Sequence, residues 1–131
     1  DFGYVDLDRE GTVIDAYKTL KKMSIPMITG IKLTDIYIGD TTTDENLKAA
    51  LVYLYAMKPE TNGQISEVSL KNPNDVMAYT TGGVQIRLGR LERLEEKAHL
   101  TDSFIVDLEV TKRPVEYVDF KFTAPFIKIK Q

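Results

Sequence analysis

The amino-acid sequence predicts a single α+β domain in which a mixed or antiparallel sheet carries helices mainly on one face. Two stretches, residues 42–57 and 91–110, repeat apolar side chains every three or four positions, as on the buried side of a helix. Residues 84–89 instead alternate apolar and polar side chains, as in a strand with one face in water. The order strand, helix, strands, helix, strand is typical of an α+β sheet covered on one side.

The start of the chain is predicted to form strands. Residues 4–7 and 12–14 suit a short hairpin, because Gly11 between them can adopt a positive φ. Residues 15–23 remain either a loop or a short helix, since Pro26 soon requires an extended backbone before it. We therefore expect strands before the first long helix.

The first helix is marked by its ends and by one apolar stripe. Thr42 and Glu45 have the spacing of a capping box, and Pro59 marks the end. The stripe between them comprises Leu47, Ala50, Leu51, Leu54 and Met57. This pattern predicts a helix with one buried face.

Three strands are predicted after this helix. They cover residues 64–70, 76–80 and 84–88. Asn62-Gly63 could supply left-handed residues for the reversal before them, and Gly82-Gly83 a tight hairpin between the last two. The sheet should thus be partly antiparallel.

The second helical stripe contains one polar position. Its apolar members are Leu91, Leu94, Ala98, Ile105 and Leu108. Thr101 stands where an apolar residue would complete the stripe. A longer second helix is therefore predicted over about residues 91–110.

The C-terminal stretch, residues 115–130, is predicted to be one bent strand. Val118, Phe120 and Phe122 should lie on the core face, and Asp119 and Lys121 should face water. Beyond Pro125 the apolar residues change from even to odd positions, at Ile127 and Ile129. A bulge or bend near Pro125 would explain the shift. Because proline lacks an N–H group, the end of this strand should lie at a sheet margin. Such a margin is either an edge where a partner docks or a final strand buried within its own domain.

Composition excludes several classes of protein. The 131 residues contain no internal repeat or flexible linker, which favours one domain over residues 1–131. The formal net charge of −3 gives no basic stripe for nucleic acid. No apolar run reaches the about 18 residues that a membrane-spanning helix needs. A start at Asp1 without methionine indicates a piece of a longer protein.

Catalytic patterns are weak. Asp6 and Asp8 follow an apolar strand as in phosphohydrolases of the haloacid-dehalogenase type, but two extra residues interrupt that motif. As a calcium loop, the same segment has Tyr17 where a bidentate glutamate should close the shell. His99 is the only histidine and cysteine is absent, so no metal and no cofactor are predicted. Acidic residues of a solvated hairpin are the favoured interpretation.

Several strings, in order, resemble one family. They are Tyr4-Val5-Asp6-Leu7-Asp8 with Gly11-Thr12-Val13-Ile14, then Ile25-Pro26-Met27-Ile28-Thr29-Gly30, Gly83-Val84-Gln85-Ile86-Arg87-Leu88-Gly89, Glu96-Lys97 and Tyr117-Val118-Asp119-Phe120-Lys121-Phe122. Their order and spacing resemble the β domain of the bacterial division proteins FtsQ and DivIB, here of the Gram-positive DivIB type.

The resemblance implies a scaffold without enzymatic activity. The parent would be a single-pass membrane protein, with a membrane helix and a polypeptide-transport-associated (POTRA) domain upstream, and with this domain on the extracytoplasmic side at the division septum. Its partners would be coiled-coil division proteins of the FtsL and DivIC/FtsB types, bound by strand addition at the last strands. Two alternatives stay open: a phosphohydrolase that uses Asp6 and Asp8, and a structural module that packs on its own missing domain.

The resemblance also implies partner-binding residues. Tyr117 and Asp119 match the family strand motif, Lys121 a basic partner-facing position and Phe122 an aromatic one. Thr123, Ala124 and Pro125 complete the set, in place of the more polar or glycine-bearing turn of some members.

Overall fold

The computed structural model describes residues 3–18, 25–33, 36–122 and 124–130. Within these ranges the chain forms eight strands and three helices. The strands are β1 (Tyr4–Leu7), β2 (Val13–Tyr17), β3 (Met27–Thr29), β4 (Ile65–Ser69), β5 (Val76–Thr80), β6 (Gln85–Gly89), β7 (Val115–Asp119) and β8 (Phe126–Ile129). The helices are α1 (Glu45–Ala56), α2 (Pro59–Asn62) and α3 (Leu94–Thr111).

Two sheets organise these strands. The antiparallel pair β1–β2 forms one, and the other has six strands in the order β3-β4-β5-β6-β7-β8. In the larger sheet β3 and β4 are parallel, as are β6 and β7, and the other neighbours are antiparallel. The predicted mixed α+β sheet is confirmed, and its edge strands are β3 and β8.

One face of the six-stranded sheet packs against the long helices. Ala78 of β5 and Ile86 of β6 are fully buried on that face. They share a core cluster with Tyr53 and Leu54 of α1 and with Phe104 of α3. Side chains on the opposite face of β5 and β6 are only half-buried. The two faces therefore differ as predicted, with helices covering one of them.

Helix α1 keeps its predicted stripe but begins with a different cap. The Asp44 carboxylate accepts the Leu47 N–H at 2.9 Å, and the Thr42 hydroxyl accepts the Asp44 N–H at 3.1 Å. The predicted capping box from Thr42 to Glu45 was thus wrong, because Asp44 lies in the position from which a side chain reaches the N3 amide. Pro59 does not only end α1, since it also opens the short helix α2.

The predicted turns were confirmed at two glycines and wrong at a third. Gly11 and Gly83 have φ of 84° and 87°, as their hairpins require. Gly63 instead has φ −64° and ψ −15°, a right-handed conformation at the end of α2. The left-handed reversal predicted at Asn62-Gly63 was wrong, because Asn62 is part of that helix. Residues 15–17, predicted as loop or helix, belong to β2, and residues 19–24 lie outside the described ranges.

Helix α3 explains its polar stripe position. Thr101 is fully buried, its hydroxyl donates to the Lys97 carbonyl at 2.8 Å and lies 2.7 Å from the Tyr53 hydroxyl. A buried hydroxyl that both donates and accepts a hydrogen bond carries little desolvation penalty. Thr101 thus joins α3 to α1 through a hydrogen bond within the core.

Candidate functional site

The C-terminal stretch forms a hairpin. Strand β7 ends at Asp119, the chain reverses, and β8 starts at Phe126 and runs antiparallel to β7. The single bent strand predicted over residues 115–130 was wrong. The phase shift at Pro125 reflects this reversal, and the proline stands immediately before the first residue of β8, where its missing N–H breaks no ladder bond.

Strand β7 has no free edge. It pairs with β6 on one side and with β8 on the other. Tyr117 and Asp119, two of the predicted partner-binding residues, therefore lie on an interior strand whose main chain has no side open to an added strand. Strand β8 is the edge, since no strand in the described part of the chain pairs with its outer side.

The direction of the main-chain groups on β7 follows from one hydrogen bond. The Phe120 N–H donates to the Arg87 carbonyl of β6 at 2.9 Å. Because N–H groups of successive residues alternate between the two sides of a strand, Tyr117 and Asp119 direct theirs toward β8. These two residues therefore form the hydrogen-bonded pairs of the hairpin.

The outward-facing groups of β8 follow in turn. The register partners of those two β7 residues are Lys128 and Phe126, whose main-chain groups thus point inward. The Lys130 N–H also points inward, since it donates to the carbonyl of the residue before β7 at 2.8 Å. By alternation, Ile127 and Ile129 present their N–H and C=O groups at the free edge. These two residues make β8 a template for another strand.

Side chains of β8 are apolar on both faces of the sheet. Phe126 and Ile127 are 55% and 44% exposed, and the partly buried Ile129 packs against the core cluster. Sequence reasoning did not include these residues, or Lys128 between them, in the predicted site. The phase shift at Pro125 was the available signal, had it been interpreted as a reversal.

The open face of the sheet carries an aromatic row beside this edge. The Arg87 guanidinium lies 3.5 Å from the centroid of the Tyr117 ring, which in turn lies 6.1 Å from the Phe126 ring. The Arg87 Nε donates to the Gln85 side chain at 2.8 Å. Cation–π stacking on Tyr117 thus connects β6, β7 and β8 on that face.

Asp119 and Lys121 form the start of the turn between β7 and β8. Asp119 is buried, and its carboxylate accepts the Lys121 N–H at 2.8 Å and lies 3.5 Å from the Lys121 Nζ. The prediction that Asp119 faces water was therefore wrong, because its carboxylate is buried against the Lys121 N–H group at the start of the turn. The stem of Lys121 lies directly over Gly89 at the end of β6.

Three of the remaining predicted residues, Phe122, Ala124 and Pro125, lie on the turn itself. Phe122 is 65% exposed, so its predicted place on the core face was wrong. Ala124 and Pro125 are also exposed, whereas Thr123 lies outside the described residues. The structure thus brings Lys121 and Phe122 to the start of a turn that leads into the free edge.

The first hairpin uses its carboxylates within itself. The Asp8 carboxylate accepts the N–H groups of Glu10 and Thr12 at 3.0 and 2.9 Å. The Tyr17 hydroxyl donates to Asp6 at 2.6 Å, and this hydrogen bond raises the pKa of Tyr17 to about 12. Both aspartates therefore form hydrogen bonds within their own hairpin.

Two further observations concern the described ranges alone. They hold no group of three or more His, Cys, Asp or Glu side chains that could bind a metal ion. None of their helices combines the length and apolar character required to cross a membrane.

Comparison with known families identifies the chain. The family described as cell division protein FtsQ/DivIB, C-terminal, matches residues 1–121. No curated protein matches the chain. The family match includes all of β7 and ends at Lys121, in the turn toward β8. A match over nearly the whole chain, with the predicted strings in order, shows that this chain belongs to the FtsQ/DivIB family of cell-division proteins.

Proposed function

We propose that this chain is a non-catalytic scaffold domain of the septal cell-division complex, which binds coiled-coil proteins of the FtsL and DivIC/FtsB types. The family works in cell division together with other division proteins. The observation that carries the proposal is the free edge of β8, which begins at Phe126, beyond the family-matched residues 1–121. A segment of the partner adds to this edge as a further strand.

The chemistry of β8 suits strand addition. An added strand gains affinity from main-chain hydrogen bonds and specificity from alternate side chains. Ile127 and Ile129 offer the outward main-chain groups, and their side chains lie on the helix-covered face with Val118 and Val115. Phe126 and Lys128 lie on the open face. The partner segment therefore contacts apolar side chains on both faces of the sheet.

The turn before β8 supplies the residues that the resemblance places at the partner. Lys121 and Phe122 are both exposed on the turn that leads into the free edge, as partner contacts must be. Asp119 and Tyr117 support them from the interior strand, through the carboxylate that holds the Lys121 amide and through the Arg87 stack. We therefore assign contact to the turn and edge, and support to β7.

The cellular placement in the proposal comes from the family. The parent protein is a single-pass membrane protein of the division septum, with this domain on the extracytoplasmic side and a POTRA domain upstream. A scaffold in this place needs binding surfaces and no chemistry, which fits the engagement of Asp6 and Asp8 within their own hairpin.

The test removes one outward N–H group. Ile127→Pro deletes a donor at the free edge but breaks no bond to β7, because the Ile127 N–H faces outward. We expect its affinity for the purified DivIC/FtsB-type ectodomain to fall at least about ten-fold, measured by calorimetry, since a lost main-chain bond and a steric obstacle act together. The matched control, Ile127→Thr, keeps the N–H and should bind within about three-fold of the parent chain.

Two variants of the turn provide a second arm. Lys121→Glu and Phe122→Ala should each weaken the same complex while circular dichroism shows an unchanged fold. If the edge packs on another domain of its own parent, Ile127→Pro, Lys121→Glu and Phe122→Ala all bind the DivIC/FtsB-type ectodomain like the parent chain. That result would reject the proposal.

A further inference from the structure

Arg93 has an unusual backbone conformation. It precedes α3 with φ 53° and ψ 40°, in the left-handed region, and its side chain does not cap the helix. Among the described residues, Lys112 is the other non-glycine residue with positive φ, and it lies at the C-terminal end of α3, where this conformation is common. A helix normally begins with an extended cap residue, so Arg93 needs a separate explanation.

The Arg93 side chain reaches the turn that leads to β8. One guanidinium nitrogen donates to the carbonyls of Phe120 and Lys121, at 3.4 and 3.2 Å, and the other binds Glu96. These carbonyls belong to the two residues after Asp119, the last residue of β7, and no main-chain N–H of the described residues donates to them. The guanidinium therefore provides donors for two acceptors that the sheet leaves unpaired.

Lys97 holds the end of β6, on which the side chain of Lys121 from that turn lies. Its buried Nζ donates to the carbonyls of Leu88 and Arg90, at 2.6 and 2.9 Å, on both sides of Gly89. Gly89 is the residue on which the Lys121 stem lies. The first turn of α3 thus fixes both the support under Lys121 and the carbonyl of Lys121 itself.

We infer that Arg93 is a positioning residue for the partner-binding edge, which it holds in place by clamping the turn between β7 and β8 onto the start of α3. The inference rests on the proposed function for the identity of the edge. The left-handed backbone of Arg93 directs its guanidinium toward the turn. The two terminal nitrogens of the guanidinium bind the turn carbonyls and Glu96 separately, whereas a lysine has only one nitrogen for both.

The chain offers a matched control for this inference. Arg93→Gly and Lys112→Gly each remove one positive charge and each place glycine in a left-handed conformation. They differ in location, because Lys112 lies at the far end of α3 from the turn. Amide hydrogen exchange of the free domain, followed residue by residue over 126–129, measures how firmly β8 is held.

We expect the β8 amides of Arg93→Gly to exchange at least about ten-fold faster than those of Lys112→Gly, with similar urea midpoints for the two variants. Arg93→Lys should give an intermediate rate, because it keeps a charge without the fork. Affinity for the DivIC/FtsB-type ectodomain should fall in the same order. Equal exchange in both glycine variants, or a rise that matches a loss of global stability, would overturn the inference. If the parent chain binds no division protein, the proposed function fails, while the exchange data still decide whether Arg93 holds β8.

Discussion

Replacing Gly89 by alanine should reveal how closely Lys121 is seated. Gly89 has φ +72°, and an added Cβ would lie 2.5 Å from the Lys121 Cγ and 3.0 Å from its Cδ. The left-handed backbone costs an L-residue about 1–2 kcal/mol. Displacing Lys121 into another rotamer adds about 1 kcal/mol. We therefore expect Gly89→Ala to lower the free energy of unfolding by about 2–3 kcal/mol.

A double-mutant cycle separates these two contributions. Lys121→Ala removes Cγ and Cδ and leaves its Cβ 3.4 Å from the added methyl group, an ordinary contact. In that background Gly89→Ala should cost only the backbone share, about 1–2 kcal/mol. Urea unfolding of the four proteins then gives a coupling energy of about 1 kcal/mol between the two sites.

The cycle can also contradict the seating of Lys121. If Gly89→Ala costs the same with and without the lysine stem, within about 0.3–0.5 kcal/mol, the two residues are independent. The Lys121 stem would then not lie over Gly89 in solution. The turn would lose that support, and the placement of Lys121 at the end of β6 would need revision.

Three further predictions concern the core and the first long helix. Thr101→Val should lower the free energy of unfolding, measured in urea, by about 1–3 kcal/mol because it leaves the Tyr53 hydroxyl buried without a partner. Tyr53→Phe should lower it by about 1 kcal/mol. The double variant should lose less than the sum of the two. Burial raises the pKa of Tyr53 above its ordinary value of 10.0. Its contribution to stability is thus complete below pH 10 and is lost as the pH rises further, so Tyr53→Phe should flatten the alkaline decline seen by circular dichroism. Asp44→Ala removes the cap of α1 and should lower the free energy of unfolding by about 1 kcal/mol.

Patterns that depend on neighbouring residues were readable from the sequence. The stripe of α1, the bounds of β5 and the hairpin at Gly83 are all local: each depends on periodicity or on one turn residue. The cap of α1 was misplaced because Thr42 and Asp44 are both good capping residues, two positions apart. The Thr42 N–H donates to the Gly11 carbonyl of the first hairpin at 2.9 Å, a distant contact that the sequence pattern does not reveal.

Features that depend on distant partners were not readable. Alternation in residues 115–130 reports which face of a strand is apolar but not whether the chain continues or turns back. The connection near Pro125 has no glycine or asparagine to mark a reversal. Thr101 similarly looked like an interruption of a stripe, because its partner Tyr53 lies 48 residues away. Both features required the three-dimensional structure.

The separation of support from contact follows from the order of strands. Strand β7 lies within the family match and pairs with β6 on one side and β8 on the other, so its side chains can hold the hairpin but neither of its edges is free. The family match ends at Lys121, and the free edge begins at Phe126, beyond it. The family match therefore covers strand β7, with which β8 pairs, but not β8 itself. Under the proposed function, the choice of partner depends on the turn and the four residues of β8. The exposed side chains of β8 come from its own short sequence, and its outward main-chain groups are set by its pairing with β7.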